Sequence, residues 1–277
     1  MYKGPLPHSK GVRKLGRLWY PISATQRRLV RLGLAGTPAL PDFLGIGVPK
    51  AGTTWLYANL AAHPQLFLPP KKEIHYFDLN WFQPLSWYSE IFDKAGDLPK
   101  GELTPTYCTL PSSRIRAIAD LMPSIRLILI LRDPVARDWS HIRMKLLRDT
   151  GRTSSEVSEH EFLAFARNYK RLDRGDYPTI LERWMAYFTR EQLHIGLYED
   201  LVDEPRRFLE QVLAHVGAPL PHPWDLMPLN SEVKRGVEAQ LPTSVRELLV
   251  AKHLPRVEEL IALVGKDTVD RWRINWG

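Results

Sequence analysis

Apolar residues in this chain fall into short unbroken runs, separated by stretches in which they recur every three or four positions. "DFLGIGV" (42–48), "IRLILILRDP" (125–134) and "LHIGLYEDL" (193–201) are runs of the first kind. Runs of that length without polar alternation predict strands covered on both faces. "LFLPPKKEIHYFDLNWF" (66–82) predicts a strand, a proline-marked turn and a second extended piece, and "GELTPTYCTLP" (101–111) a further extended stretch. Helical spacing predicts helices at 53–62, at "IRAIADLMP" (115–123) and at "VARDWSHIRMKLLRD" after an Asp133–Pro134 start. It predicts others at "EFLAFARNYKRL", at "TILERWMAYF", at "EPRRFLEQVLAHVG" ending on Gly217, and at 244–265 as a hairpin or kinked helix. Strands alternating with helices imply a parallel sheet flanked on both faces.

Charge divides the chain. Residues 1–41 carry eight bases (Lys3, Lys10, Arg13, Lys14, Arg17, Arg27, Arg28 and Arg31) and no acid, whereas the whole chain has 38 bases and 31 acids. The basic character therefore belongs to an N-terminal arm with a short helix at 23–34, and residues 42–277 form the domain. The arm reads either as a solvated extension or as a segment that contacts an acidic surface. Nucleic acid is not the expected partner, because the bases are not interleaved with stacking aromatics. Neither a membrane-length apolar run nor a secretory apolar stretch is visible. One cysteine, Cys108, permits no internal disulfide and fits a reducing cytoplasm. With neither CxxC pairs nor HExxH, no metal site is expected.

The candidate chemistry begins where the first run turns into a helix, at "FLGIGVPKAGTTWL". A helix start preceded by glycine, lysine and hydroxyls suits a phosphate, since it presents unpaired N–H groups and a partial positive charge. Gly47 and Gly52 have P-loop spacing, but Thr53 follows where GxxxxGK[ST] puts lysine. The lysine lies inside the loop, at Lys50. Arg132 comes before Asp133 after the strongest strand, where a Walker-B carboxylate would stand. Both departures argue against a triphosphate kinase.

"PKAGTTWL" resembles the 5′-phosphosulfate loop of sulfotransferases that use 3′-phosphoadenosine 5′-phosphosulfate (PAPS). "LILILRDPVARDWSHI" resembles their 3′-phosphate segment, "KKEIHYFD" the KE-x-HFFD stretch of the heparan-sulfate-type branch, and "TPTY" and "LYEDLVDEP" further family segments. The resemblance runs from about residue 42 to the C-terminus. It implies a three-layer α/β/α fold, P-loop-NTPase-like, with a central parallel sheet. It also implies sulfuryl transfer from PAPS without a metal to a hydroxyl or amine of a small-molecule, lipid or glycan acceptor. In donor binding it implicates Lys50, Ala51, Gly52, Thr53, Thr54, Trp55, Arg132 and Ser140, with Lys234, Arg235 and Gly236 as a closing loop. In catalysis it implicates Lys50 and Glu73, with His75 as the rival base, and Lys72 and Asp78 beside the acceptor. If 73–77 were extended, Glu73 and His75 would share a face. Leu103 stands where 3-O-sulfotransferases carry an acceptor-facing lysine, which weakens the expectation of a polyanionic sugar. Trp81 and Trp87 are candidates for an apolar acceptor wall, though core packing is the plainer role for most tryptophans. A nucleotide-binding protein with a dead site remains the non-enzymatic alternative.

Overall fold

The structure, a computed structural model, describes residues 38–169, 172–230 and 239–277. The bases of the expected arm, the helix at 23–34, and Lys234, Arg235 and Gly236 lie outside the described residues.

Four parallel strands make the sheet: β1 (Phe43–Gly47), β2 (Gly101–Leu103), β3 (Arg126–Leu131) and β4 (Leu193–Leu197), in the order β2-β1-β3-β4. Every residue of β1 is buried, as are the last five of β3. A strand buried at consecutive positions is covered on both faces, and each aliphatic side chain removed from water there contributes about 1.5–3 kcal/mol. Helices therefore flank the sheet. They are α1 (Thr53–Ala62), α2 (Leu85–Glu90), α3 (Ser112–Leu121), α4 (Pro134–Arg143), α5 (Glu159–Asn168), α6 (Tyr177–Met185), α7 (Tyr198–Asp203), α8 (Pro205–Val216), α9 (Thr243–Val257), α10 (Ile261–Val264) and α11 (Lys266–Trp276). Because the strands are parallel, the chain leaves Gly47, Leu103, Leu131 and Leu197 along one edge of the sheet. Ligands bind at that edge in open α/β sheets.

The expected helix at 53–62 and the Asp133–Pro134 start are present. Asp133 Oδ1 accepts from the backbone N–H of Val135 at 2.9 Å and of Ala136 at 3.2 Å, and Pro134 opens α4. Gly217 takes the left-handed conformation at the end of α8, with φ 75°. Past α4 the ladder widens into a π turn over Met144–Arg148.

The extended reading of 66–82 is corrected. Only Phe67 bridges to Lys100 there, and Glu73 and His75 sit at φ 64° and 58°, in the left-handed region. The stretch 101–111 is strand only to Leu103, because Pro105 starts a 3₁₀ turn over Pro105–Thr109. Likewise 193–201 is β4 followed directly by α7. The C-terminal stretch is kinked: Pro255 lies inside α9, and a 3₁₀ turn over Glu258–Leu260 leads to α10. α11 was not anticipated, although Val269, Trp272 and Trp276 are buried at helical spacing. Among the described residues five tryptophans are core residues: Trp55, Trp139, Trp184, Trp272 and Trp276. Trp81 and Trp87 are half-buried against Tyr76, with ring centroids at 6.2 and 6.1 Å.

Candidate active site

The turn from β1 into α1 ends on Gly52, at φ 83°, and no side chain caps the helix. The first helical bond runs from Leu56 N–H to Gly52 O at 3.1 Å, so the N–H groups ahead of it have no partner within the helix. Gly52 is held to glycine by more than its φ, since a Cβ would lie 2.8 Å from Leu201. Thr54 is exposed at this end while Thr53 and Ala51 are buried. Trp55 turns its ring inward, donating from Nε1 to Leu229 O at 2.9 Å and meeting Phe208 edge-on at 6.2 Å. Any ligand contact from Trp55 must therefore come from its backbone.

Lys50 also has a left-handed backbone, at φ 75°. Its Nζ lies 3.7 Å from Met144 Sδ. Burial, then the charges of Arg148, Arg132, Arg143 and Arg137, lower its pKa to about 8. The positive charge gathered around Lys50 would favour an anion beside it. Arg132 leaves the end of β3 and donates from Nη1 to Lys50 O at 2.9 Å, with its guanidinium 4.3 Å from the Tyr198 ring centroid. Ser140 is buried in α4. Arg137, on the same helix, is fully buried, pairs with Asp138 and reaches Pro49 O at 3.5 Å. Its guanidinium thus backs the turn that carries Lys50, a role the sequence reading did not assign.

Across the site, Lys72 joins the start of α1 to the candidate base. Its Nζ donates to Thr54 Oγ1 at 3.3 Å and to Glu73 Oε1 at 2.8 Å. His75 then sits between two carboxylates, with Nε2 3.4 Å from Glu73 Oε2 and Nδ1 3.0 Å from Asp78 Oδ2. Thr106 Oγ1 donates to the same Asp78 oxygen at 2.6 Å. Glu73 and His75 do meet, but through the left-handed turn and not through strand alternation. His75 is pushed up to about 9: burial opposes its charge, and hydrogen bonds to Asp78 and Glu73 outweigh burial. Glu73 is held down to about 2, first by its hydrogen bond to His75. Burial alone would raise the Glu73 carboxyl. The imidazolium reverses that direction.

Leu103 is 1% exposed and packs onto Gly45 of β1. It is a core residue here and does not reach an acceptor. Cys108 is buried, and burial pushes its thiol up to about 12. Among the described residues no cluster of His, Cys, Asp and Glu could hold a metal ion, and no helix is long and apolar enough to cross a membrane.

Residues 40–238 match the family described as "Sulfotransferase domain". The chain belongs to this sulfotransferase family. It is 37% identical over 129 residues to the membrane-associated sulfotransferase kil1 of Dictyostelium discoideum, covering 44% of this chain and 26% of that protein. It is 30% identical over 197 residues to heparan sulfate glucosamine 3-O-sulfotransferase 5 of Mus musculus, covering 65% of this chain and 54% of the relative. The chain thus spans between about a quarter and a half of these curated relatives. Among solved structures, a sulfotransferase from Alicyclobacillus acidocaldarius superposes with a TM-score of 0.67 at 26% identity, covering 85% of this chain and 99% of that one. The four-stranded parallel sheet with its helices is accordingly the P-loop-like sulfotransferase fold.

Proposed function

We propose that this protein transfers a sulfuryl group from PAPS to a hydroxyl or amine of an acceptor, with Glu73 as general base. The observation that carries this reading is the bridge from Thr54 through Lys72 to Glu73. One ammonium group ties an anion-binding helix start to a carboxylate able to take a proton. When bound, PAPS supplies an activated sulfuryl group on a phosphate leaving group. The N-terminal N–H groups of α1, with the Thr54 hydroxyl, hold the 5′ end. Lys50 Nζ meets negative charge there, which is the main source of rate in such transfers. Arg132 and Ser140 hold the 3′-phosphate. The Glu73 carboxylate takes the acceptor's proton, and His75 fixes its orientation. Asp78 and Thr106 fix His75 in turn. The glycan-modifying activity named for the heparan sulfate relative supports a carbohydrate acceptor, whereas buried Leu103 leaves one acceptor-facing cation out.

The test is calorimetry with 3′-phosphoadenosine 5′-phosphate against ATP, followed by transfer of radiolabel from PAPS to a panel of glycan, lipid and phenolic acceptors. Preference for the 3′-phosphorylated nucleotide and labelling of one acceptor class are expected. Preference for ATP, or nucleotide binding with no labelled product across the panel, overturns the reading.

A further inference from the structure

Beneath the turn that carries Glu73 and His75 lies a carboxylate with no place in the chemistry above. Glu102, in β2, is 2% exposed. Its Oε1 accepts from Tyr88 OH at 2.9 Å and Tyr107 OH at 3.0 Å, and its Oε2 accepts from Thr104 Oγ1 at 2.6 Å. Two of those hydroxyls face the catalytic turn on their other side. Thr104 Oγ1 accepts from the backbone N–H of His75 at 3.4 Å, and Tyr107 OH accepts from that of Phe77 at 3.2 Å. A hydroxyl has one hydrogen. With that hydrogen committed to Glu102, each oxygen can turn only a lone pair toward the turn.

We infer that Glu102 is a positioning residue for the proposed transfer: by orienting the Thr104 and Tyr107 hydroxyls, it anchors residues 73–77 in the conformation that brings Glu73 to His75. This rests on the reading of Glu73 as the base. The turn needs such an anchor. Glu73 and His75 both have positive φ without being glycine, a conformation that crowds Cβ against the following carbonyl oxygen. Strain of that kind persists only where the surroundings over-determine it. Glu102 supplies a buried acceptor fixed from three sides: burial pushes its carboxyl up, and the hydrogen bonds from Thr104, Tyr88 and Tyr107 favour the carboxylate against that push. Glutamine at that position is the informative change, because it keeps the shape and replaces one oxygen by an NH₂ donor. Whichever hydroxyl faces that NH₂ must turn its hydrogen away, and the remaining direction is the N–H it now accepts from.

Two readouts test this. The first is kinetic: Glu102→Gln should lower kcat roughly 10²-fold, the scale of a small displacement of reacting groups, while affinity for 3′-phosphoadenosine 5′-phosphate stays unchanged. The second needs no turnover. His75 is held near pH 9, between Glu73 and Asp78 with Lys72 beyond Glu73, and its NMR titration, assigned with His75→Asn, should fall toward 6.5 in Glu102→Gln. Thr104→Val, which removes one hydroxyl from the relay, should move both readouts the same way, and Thr104→Ser should restore them. If Glu102→Gln does not fold, the Thr104 pair decides the matter. An unshifted His75 titration with unchanged kcat, or a kcat loss matched by lost nucleotide affinity, overturns the inference. The reading it rests on fails separately, if Glu73→Gln keeps its activity.

Discussion

Arg132 donates to the carbonyl oxygen of Lys50 across 2.9 Å, so the two segments assigned to opposite ends of the donor are joined by one hydrogen bond. Arg132 therefore supports the left-handed backbone of Lys50 as well as being the proposed ligand of the 3′-phosphate. Arg132→Ala should weaken binding of 3′-phosphoadenosine 5′-phosphate, erase its preference over AMP and also lower kcat. Ser140→Ala lacks that link and should weaken binding alone. Calorimetry and saturating-donor kinetics on the two variants separate the effects. Equal wild-type affinity for the two nucleotides removes both residues from the 3′ site.

In the proposed mechanism Lys50 meets charge that grows during transfer, so Lys50→Ala should cost about 10²–10³ in kcat and much less in product-nucleotide affinity. Its pKa of about 8 adds a pH signature. The free protein loses this charge as pH rises through 8, and a bound anion restores it by proton uptake. Wild-type affinity should then fall above pH 8, and Lys50→Ala should flatten that dependence. Because the folded value lies below the ordinary 10.5, folding gains from this group as pH climbs between those values. A nucleotide-binding curve with the same pH slope in both proteins counts against Lys50 as the responsible group.

Much of this architecture is legible in the sequence because it rests on local rules. The buried runs give β1, β3 and β4, and Asp133–Pro134 and Gly217 mark helix ends through capping chemistry that needs no tertiary partner. The 73–77 turn is not legible that way. Its backbone N–H groups at His75 and Phe77 find their acceptors on Thr104 and Tyr107, some thirty positions further on. Left-handed Glu and His have no local signature of the kind Gly or Asn would give. The joining of the Lys50 and Glu73 segments by Lys72 is equally a tertiary fact, although the two motifs quoted for the site contain all three residues between them. α11 could have been found: Val269, Trp272 and Trp276 repeat at helical spacing within a polar stretch.

That last helix is tied to the site. Trp276 Nε1 donates to Asp133 Oδ1 at 2.9 Å, the same oxygen that caps α4. Asp133→Ala should cost about 1–2 kcal/mol through the lost cap, with a further 1–3 kcal/mol for the buried indole N–H left without an acceptor. Asp133→Asn keeps an oxygen there and should recover most of the loss. Urea unfolding of both variants measures it. An alanine variant as stable as wild type would show that α4 and α11 hold without this contact.

The Glu73–His75 pair makes the sharpest statement about mechanism, because the two groups polarise each other. Glu73, near 2, stays ionised far below the ordinary 4.5, and its contribution to stability is lost only as pH falls from 4.5 through 2. His75, near 9, contributes fully below 6.5 and loses its contribution as pH rises through 9. In the folded protein the cluster with Asp78, whose carboxyl is also held below its ordinary value, therefore stays ionised well below pH 4.5 and into the alkaline range. Wild-type kcat should show no acid limb near 4.5 and should fall on the alkaline side, where His75 gives up the proton that orients Glu73. Replacing His75 by Asn removes that titrating group, so the alkaline limb should vanish while part of the activity survives. The Glu73→Gln protein should lose roughly 10²–10⁴ in turnover with product-nucleotide affinity intact, since the proposed role of this carboxylate is on the acceptor. These comparisons require one acceptor at saturating PAPS. If His75→Asn is inactive and Glu73→Gln keeps most of its rate, the imidazole is the base, and the alkaline limb would instead appear as a rise in activity as His75 deprotonates.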